Sequence, residues 1–321
     1  MNPRQQQTGV ALITAILLVA MATILTTKLV WEYQLSLRRT EALLMREQAR
    51  FFGVGAEAIA IDILKQDDAA FDHAGEDWAQ IVPPLDIGID EIVMGQMQGT
   101  LRDAQGRFNL NNLVPVRGAE PDKTTRDQFA RLVEILRLDP SIVDSIIDWI
   151  DEDTIPQTGG AEDGIYTALD PAYRAANNYL TSVSELRAIA NIDNVAYEAL
   201  LPHVTAINPE WCGTEGGITP ININSATAAV IASLHEDIDL GQAEAWIEER
   251  GETGWEELNE ISDWPPEYNT LPGTPATLKS YCFELNALIN VGSSVLSMYS
   301  LLDRSASEDA IVTRVRIFGL D

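Results

Sequence analysis

Residues 1–30 read MNPRQQQTGVALITAILLVAMATILTTKLV, and the reading of this stretch decides the fold. Arg4 is the only charged side chain before Lys28, and the 18 residues 10–27 contain no charge. As a helix such a run reaches about 27 Å, just enough to cross the hydrocarbon core of a bilayer. Arg4 and the initial amine favour a cytoplasmic N-terminus, which puts everything after Lys28 on the far side of the membrane.

Three processing schemes compete for this stretch. A secretory signal would be cut after the apolar run, where Ala20-Met21-Ala22 fits an A-x-A site. An uncut anchor would keep Met1. A prepilin leader would be cut before the apolar run, after Gly9. The third fits best, because a short polar leader ends in Gly9 and the apolar run follows at once without a turn-forming break. Downstream, no proline occurs between Pro3 and Pro83, so one helix is predicted to continue to Gln66. Leu35, Leu43, Leu44, Phe51, Phe52, Ile59 and Ile63 recur at spacings expected of one buried stripe, with Arg38, Arg39, Glu41, Arg46 and Glu47 on the remainder.

A leader, an anchor and a stem in this order resemble type IV pilins and pseudopilins. Pilins usually carry glutamate at the fifth residue of the mature chain; counted from Val10, that position here is Thr14. A glutamate in lipid is costly unless paired, and in pilins it is thought to meet a neighbour's N-terminal amine. Its absence is similar to what the GspK family of type II secretion minor pseudopilins shows. The resemblance implies cleavage after Gly9 by the prepilin peptidase, methylation of the Val10 amine, and anchoring in inner-membrane lipid by a single pass. It also implies GspI, GspJ and GspH as partners at the tip of a filament built from GspG.

Composition agrees with export. Twenty-one Lys+Arg against 49 Asp+Glu leave a net charge of −28, which repels phosphate backbones and argues against nucleic acid as a partner. Hydrophobic content of 46% is too high for a disordered polyanion. Cys212 and Cys282 are the only cysteines, and outside the cytoplasm such a pair is expected to form a disulfide. Closing a loop of that length stabilises a chain by roughly 4 kcal/mol in the entropy model.

Residues 89–110 read as strands around a turn at Asp103-Ala104-Gln105-Gly106, and strand alternation returns from Ser280 to the end. Between them the signal is helical. The expected architecture is α+β: a long N-terminal helix on an antiparallel sheet, with a large all-α domain of helix-hairpin-helix, SAM-like character inserted between strands. The expected divisions are 1–9 leader, 10–66 anchor and stem, 67–110 with 276–321 pilin-like, and 111–275 insert. Order and size match the GspK-type layout.

Within the insert two segments look alike. One runs from Asn109 (NLNNL) through a helix to Asp153; the other runs from Ile221 (ININ) through a helix to Leu258, with Ser225 expected to cap its first helix. Helix-hairpin-helix units often bind DNA through glycine-rich hairpins. Here the hairpins are Arg137-Leu138-Asp139-Pro140 and His235-Glu236-Asp237-Ile238-Asp239, acidic and without Gly-x-Gly, so the units read as a packing scaffold.

The densest acidic stretch is Asp148-Trp149-Ile150-Asp151-Glu152-Asp153, followed by Gly159-Gly160-Ala161-Glu162-Asp163. Carboxylates converging from a helix end and the next loop suit a hard cation. Asp151, Asp153 and Glu162 occupy positions 1, 3 and 12 of an EF-hand register, but Ile155 and Pro156 at positions 5 and 6 exclude that loop. The stretch is similar to the DWxDxD and GAEDxxY patterns of the GspK family, through Tyr166. The resemblance implies structural calcium held by Asp151, Asp153, Glu162 and Asp163. Asp148 is a further ligand or an orienting group, Asn177 and Asn178 are weaker candidates, and Glu236, Asp237 and Asp239 form a second acidic group.

No catalytic signature is present. His73, His203 and His235 lack metal-type partners at close spacing, and no nucleophile elbow, phosphate loop or dinucleotide fingerprint occurs. Trp211, Trp246, Trp255 and Trp264 read as core or interface. The expected function is structural, not enzymatic: a subunit at the tip of the periplasmic filament, needed to start its assembly and to export folded proteins. The rival is a membrane-anchored periplasmic calcium-dependent binding or hydrolytic domain.

Overall fold

The structure is a computed structural model that describes residues 8–67, 70–81, 83–89, 92–214, 216–265, 275–305 and 310–319. Residues 1–7 of the expected leader lie outside this range. Helix α1 (Thr8–Gln66) is a single helix of 59 residues, about 88 Å long. From Val10 to Tyr33 its large apolar side chains are exposed, with no part of the chain upon them.

Only the last third of α1 packs on the head. There it lies across a five-stranded antiparallel sheet of order β1 (Leu85–Ile89), β2 (Ile92–Asp103), β7 (Cys282–Val291), β8 (Ser294–Asp303), β9 (Val312–Gly319). Alternate residues Phe283, Leu285, Ala287 and Ile289 of β7 and Leu296, Met298 and Leu302 of β8 are buried in the core shared with α1, as the period of two requires.

The helix answers with Ala49, Ala60 and Leu64, and Phe52 and Ile63 are half-buried. The stripe expected from sequence is therefore corrected: Leu35, Leu43, Leu44, Phe51 and Ile59 are exposed. Small residues set the contact, because they let a helix lie close to a sheet. A Cβ at Gly53 would stand 3.1 Å from Met298 Sδ and 3.3 Å from Phe318 Cε1. Glu57 is buried in this interface. Burial works against its charge, but hydrogen bonds from Arg316, Ser300 and Thr313 outweigh it and hold its pKa below the ordinary value. That carboxylate locks the last strand onto the stem.

The chain leaves the sheet at Asp103 and returns at Cys282, and these ends are neighbours, since Asp103 pairs with Phe283 across the ladder. The turn after Asp103 forms, but residues 108–110 do not fold back on β2 as expected. Instead β3 (Phe108–Asn109) pairs in parallel with β4 (Val204–Thr205) inside the helical block. The excursion holds α2 (Lys123–Ile135), α3 (Ser141–Ile150), α4 (Asp163–Tyr166), α5 (Asn194–Leu200), α6 (Ala228–Ser233) and α7 (Leu240–Arg250) around its own core. A second parallel pair, β5 (Ile221–Asn222) with β6 (Ala276–Thr277), closes the second repeat.

The two repeats share a device. Asn109 Oδ1 accepts from Asn111 N at 3.2 Å, and Asn222 Oδ1 accepts from Asn224 N at 2.9 Å, so each Asn-x-Asn turns a short strand toward a helix. The cap of α6 is Thr227, whose hydroxyl accepts from Val230 N, and not Ser225. Cys212 and Cys282 form a disulfide that ties the helical block to the start of β7. Asn222 and Ser280 both donate to the buried Asp103 at the same junction, at 2.9 and 2.6 Å.

Candidate metal centre

Helix α3 builds the acidic loop. Ile142, Ile146, Ile147 and Ile150 anchor its apolar side in the core. Asp144 and Asp148, one turn apart, face the returning loop. Asp144 Oδ2 accepts from Gly159 N at 3.0 Å, and Asp148 Oδ1 accepts from Gln157 N at 3.0 Å. Asp148 is fully buried, so it is an orienting group that straps residues 157–161 to the helix. Burial pushes its pKa up. Gly160 is required here, because a Cβ would stand 1.9 Å from Asp148 Oδ2. Trp149 packs edge-on against Tyr166 at 5.2 Å and fixes the other side of the loop.

This strapping brings together Asp151 at the end of α3, Asp153 two residues on, and Glu162 before α4. One carboxylate oxygen from each lies within 4.8 Å of the other two. Asp151 and Glu162 are 4% and 6% exposed, and none of their four carboxylate oxygens has a hydrogen-bond partner. Buried carboxylates normally accept several donors, so four open oxygens in one place are a large electrostatic deficit. Burial, then the neighbouring carboxylates, lift both Asp151 and Glu162 to about 7. Asn177 joins the site: its Nδ2 donates to Asp153 O at 3.0 Å, and its own Oδ1 is buried without a partner.

The donor set is oxygen only, with no imidazole or thiolate, which is the chemistry of calcium or magnesium. Asp163 stands apart from the three: its Oδ1 accepts from Ala175 N at 3.1 Å and its Oδ2 faces Arg174 at 3.6 Å. Asn178 Oδ1 accepts from Tyr179 N and from Arg117. Glu236, Asp237 and Asp239 do not converge among the described residues. Asp239 caps α7 through Gln242 N, and Asp237 faces His235 at 3.4 Å. Asp144 as a strap was not anticipated from sequence, although its i, i+4 spacing from Asp148 before a Gly-Gly pair was a readable signal; of the two roles expected for Asp148, ligand and orienting group, its hydrogen bonds fit the second.

Models described as type II secretion system protein K match residues 106–209 and 221–274, the two repeats and the acidic loop. The chain is 30% identical to the type II secretion system protein K of Pectobacterium carotovorum over 97% of both chains. It is 37% identical to that of Pseudomonas aeruginosa, over 81% of this chain and 77% of the relative.

The chain belongs to the type II secretion system protein K family, the GspK family. The family assignment extends to architecture. A crystal structure of the GspK-GspI-GspJ complex from enterotoxigenic Escherichia coli contains a chain that matches with a TM-score of 0.71 and 25% identity, covering 88% of this chain and all of that one. The α+β arrangement of stem helix, antiparallel sheet and helical block is thus the GspK fold.

Proposed function

We propose that this chain is a minor pseudopilin that sits at the tip of the periplasmic filament and starts its assembly. The observation that carries the reading is α1, a rod whose exposed apolar surface continues from the membrane span into the stem at Leu35, Leu43, Leu44 and Phe51. Lys28, Trp31 and Tyr33 at the end of the uncharged run suit the membrane–water boundary, with the N-terminus in the cytoplasm and the head in the periplasm. Beyond that boundary an apolar stripe in water calls for sibling helices. GspI, GspJ and GspH are the proposed neighbours, above GspG.

Thr14 supports the first place in such a stack. Its hydroxyl donates to Val10 O and Ala11 O of its own helix, at 3.1 and 2.9 Å, and offers no carboxylate to a neighbour's amine. The head is broad, with the helical block added to the sheet, and its bulk would obstruct a further subunit above it. The reading is structural, without catalysis.

Calcium belongs to the same proposal. Asp151, Asp153 and Glu162 would hold it, with Asn177 Oδ1 as a neutral ligand, and the ion would neutralise carboxylates that otherwise repel one another. The chain's own part is to hold the loop in shape through Asp144, Asp148 and Gly160.

Mass spectrometry of the mature N-terminus tests the proposal. The expected form starts at a methylated Val10. A chain starting at residue 23, or retaining Met1, would overturn it.

A further inference from the structure

Eight large apolar side chains are exposed in the described part of residues 111–275, and five of them, Val116, Ile155, Ile165, Leu169 and Tyr173, lie on two adjoining stretches. Ile155 is 73% exposed, Val116 56% and Ile165 54%. The other three, Val195, Leu201 and Leu240, are scattered, which is ordinary for a soluble surface.

The two stretches are tied together. Arg117 pairs with Glu152 and donates to Asn178 Oδ1, and the Tyr179 hydroxyl donates to Pro115 O at 3.3 Å. Asn177 Nδ2 holds Asp153 O at 3.0 Å. Ile165 and Leu169 follow one another by a helical turn through α4 and the turn after it. The apolar side chains therefore stand on a loop that is fixed in shape, and their exposure is a property of the folded chain.

The surroundings are acidic. Residues 116–120 and 151–174 carry seven carboxylates against Arg117 and Arg174. A dication held by Asp151, Asp153 and Glu162 leaves this region negative still. Large apolar side chains on a stretch of net negative charge suit a protein partner of opposite charge, whereas anionic lipid and nucleic acid are repelled from it.

We propose that this loop is a docking face for a protein whose own contact surface is apolar and bordered by lysine and arginine. The proposal rests on side chains of the helical block and does not depend on where the subunit sits in a filament.

Photo-crosslinking in cells tests it with the full chain in its membrane. A benzoylphenylalanine is placed at 155, 165 or 169, and at 195 or 240 as controls. The first three positions are expected to give protein adducts several-fold more abundant than the controls, with cross-linked peptides rich in Lys and Arg. The double substitution Ile165→Ser with Leu169→Ser is expected to remove the adduct from position 155 and leave the melting temperature unchanged. Adducts only to lipid, adducts confined to sibling pilin-like subunits, adducts equal to the controls, or contact peptides that are acidic would each overturn it.

Discussion

Two acidic clusters in this molecule look the same in composition and differ in how they are completed. Asp67, Asp72 and Glu76 follow the stem; Asp151, Asp153 and Glu162 follow α3. In each, one oxygen per carboxylate lies within 4.8 Å of the others. The first cluster is closed from within except at Asp72 Oδ1, its one buried oxygen without a partner. Arg304 reaches Asp67 at 3.2 Å and pairs also with Asp72, and Ser280 N donates to Asp72 at 2.7 Å. Trp78 Nε1 and His73 N donate to Glu76 at 2.6 and 3.0 Å. Among the described residues no guanidinium meets the second cluster, and four buried oxygens stay open on Asp151 and Glu162. The first is a structural joint between stem, sheet and helical block. The second is a site the chain does not finish by itself.

Breaking the internal closure has the largest expected effect. Arg304→Met leaves buried carboxylates at the joint without their cation and should cost about 3–5 kcal/mol. Chemical denaturation of the full chain measures it, and added calcium should not restore the loss.

Completing the second cluster comes next. Raising free calcium to about one hundred times its dissociation constant should stabilise the chain by about 2.7 kcal/mol, read as a rise in melting temperature that chelation reverses.

Removing the open charges sharpens the contrast. Asp151→Asn with Glu162→Gln should abolish the calcium response and, without calcium, leave the chain as stable as the parent at neutral pH or more so, by on the order of 1 kcal/mol. Melting curves with and without calcium, taken on both proteins, decide it.

A further contrast is the response of the calcium-free chain to pH. Asp151 and Glu162 titrate at about 7 in the folded chain, against ordinary values of 3.8 and 4.5. Groups raised in this way favour the folded state when protonated, so their stabilisation is complete below the unfolded pKa and is lost as pH rises through about 7. Calcium-free protein should therefore melt higher at pH 5.5 than at pH 8. Calcium binding should weaken over the same descent in pH, because protons compete for the same oxygens.

Much of this was legible in the sequence, for identifiable reasons. Helix α1 shows itself because its proline-free, uncharged run leaves the backbone no other way to satisfy itself in a bilayer. Strands β7 to β9 show themselves through alternation, since one sheet face is buried. The packed side of the stem did not, because Phe51 and Leu43 look more like core than Ala49, Gly53 and Ala60. Close approach to a sheet favours the small residues, and that depends on a partner surface the local sequence does not encode. Likewise Phe108 and Asn109 alternate like a hairpin strand but pair with Val204 and Thr205, about a hundred residues away.

The acidic loop was legible as a cluster of Asp151, Asp153 and Glu162, because spacing around a helix end brings those groups together. The separate placement of Asp163 was not, since its pairing with Arg174 and Ala175 depends on how the loop after α4 turns. Asn177 entered only as a weak candidate for the same reason: a left-handed backbone with φ of +44° aims it back at Asp153.

The proposed assembly puts the exposed stem against sibling stems. A single cysteine at Phe51, in a chain whose native cysteines are already joined to each other, tests it by oxidative cross-linking in intact cells against cysteines along the stems of GspI and GspJ. Cross-links to those stems are expected at matching heights along the helix. A stem that never cross-links to a sibling, while the chain remains folded in the membrane, would contradict it.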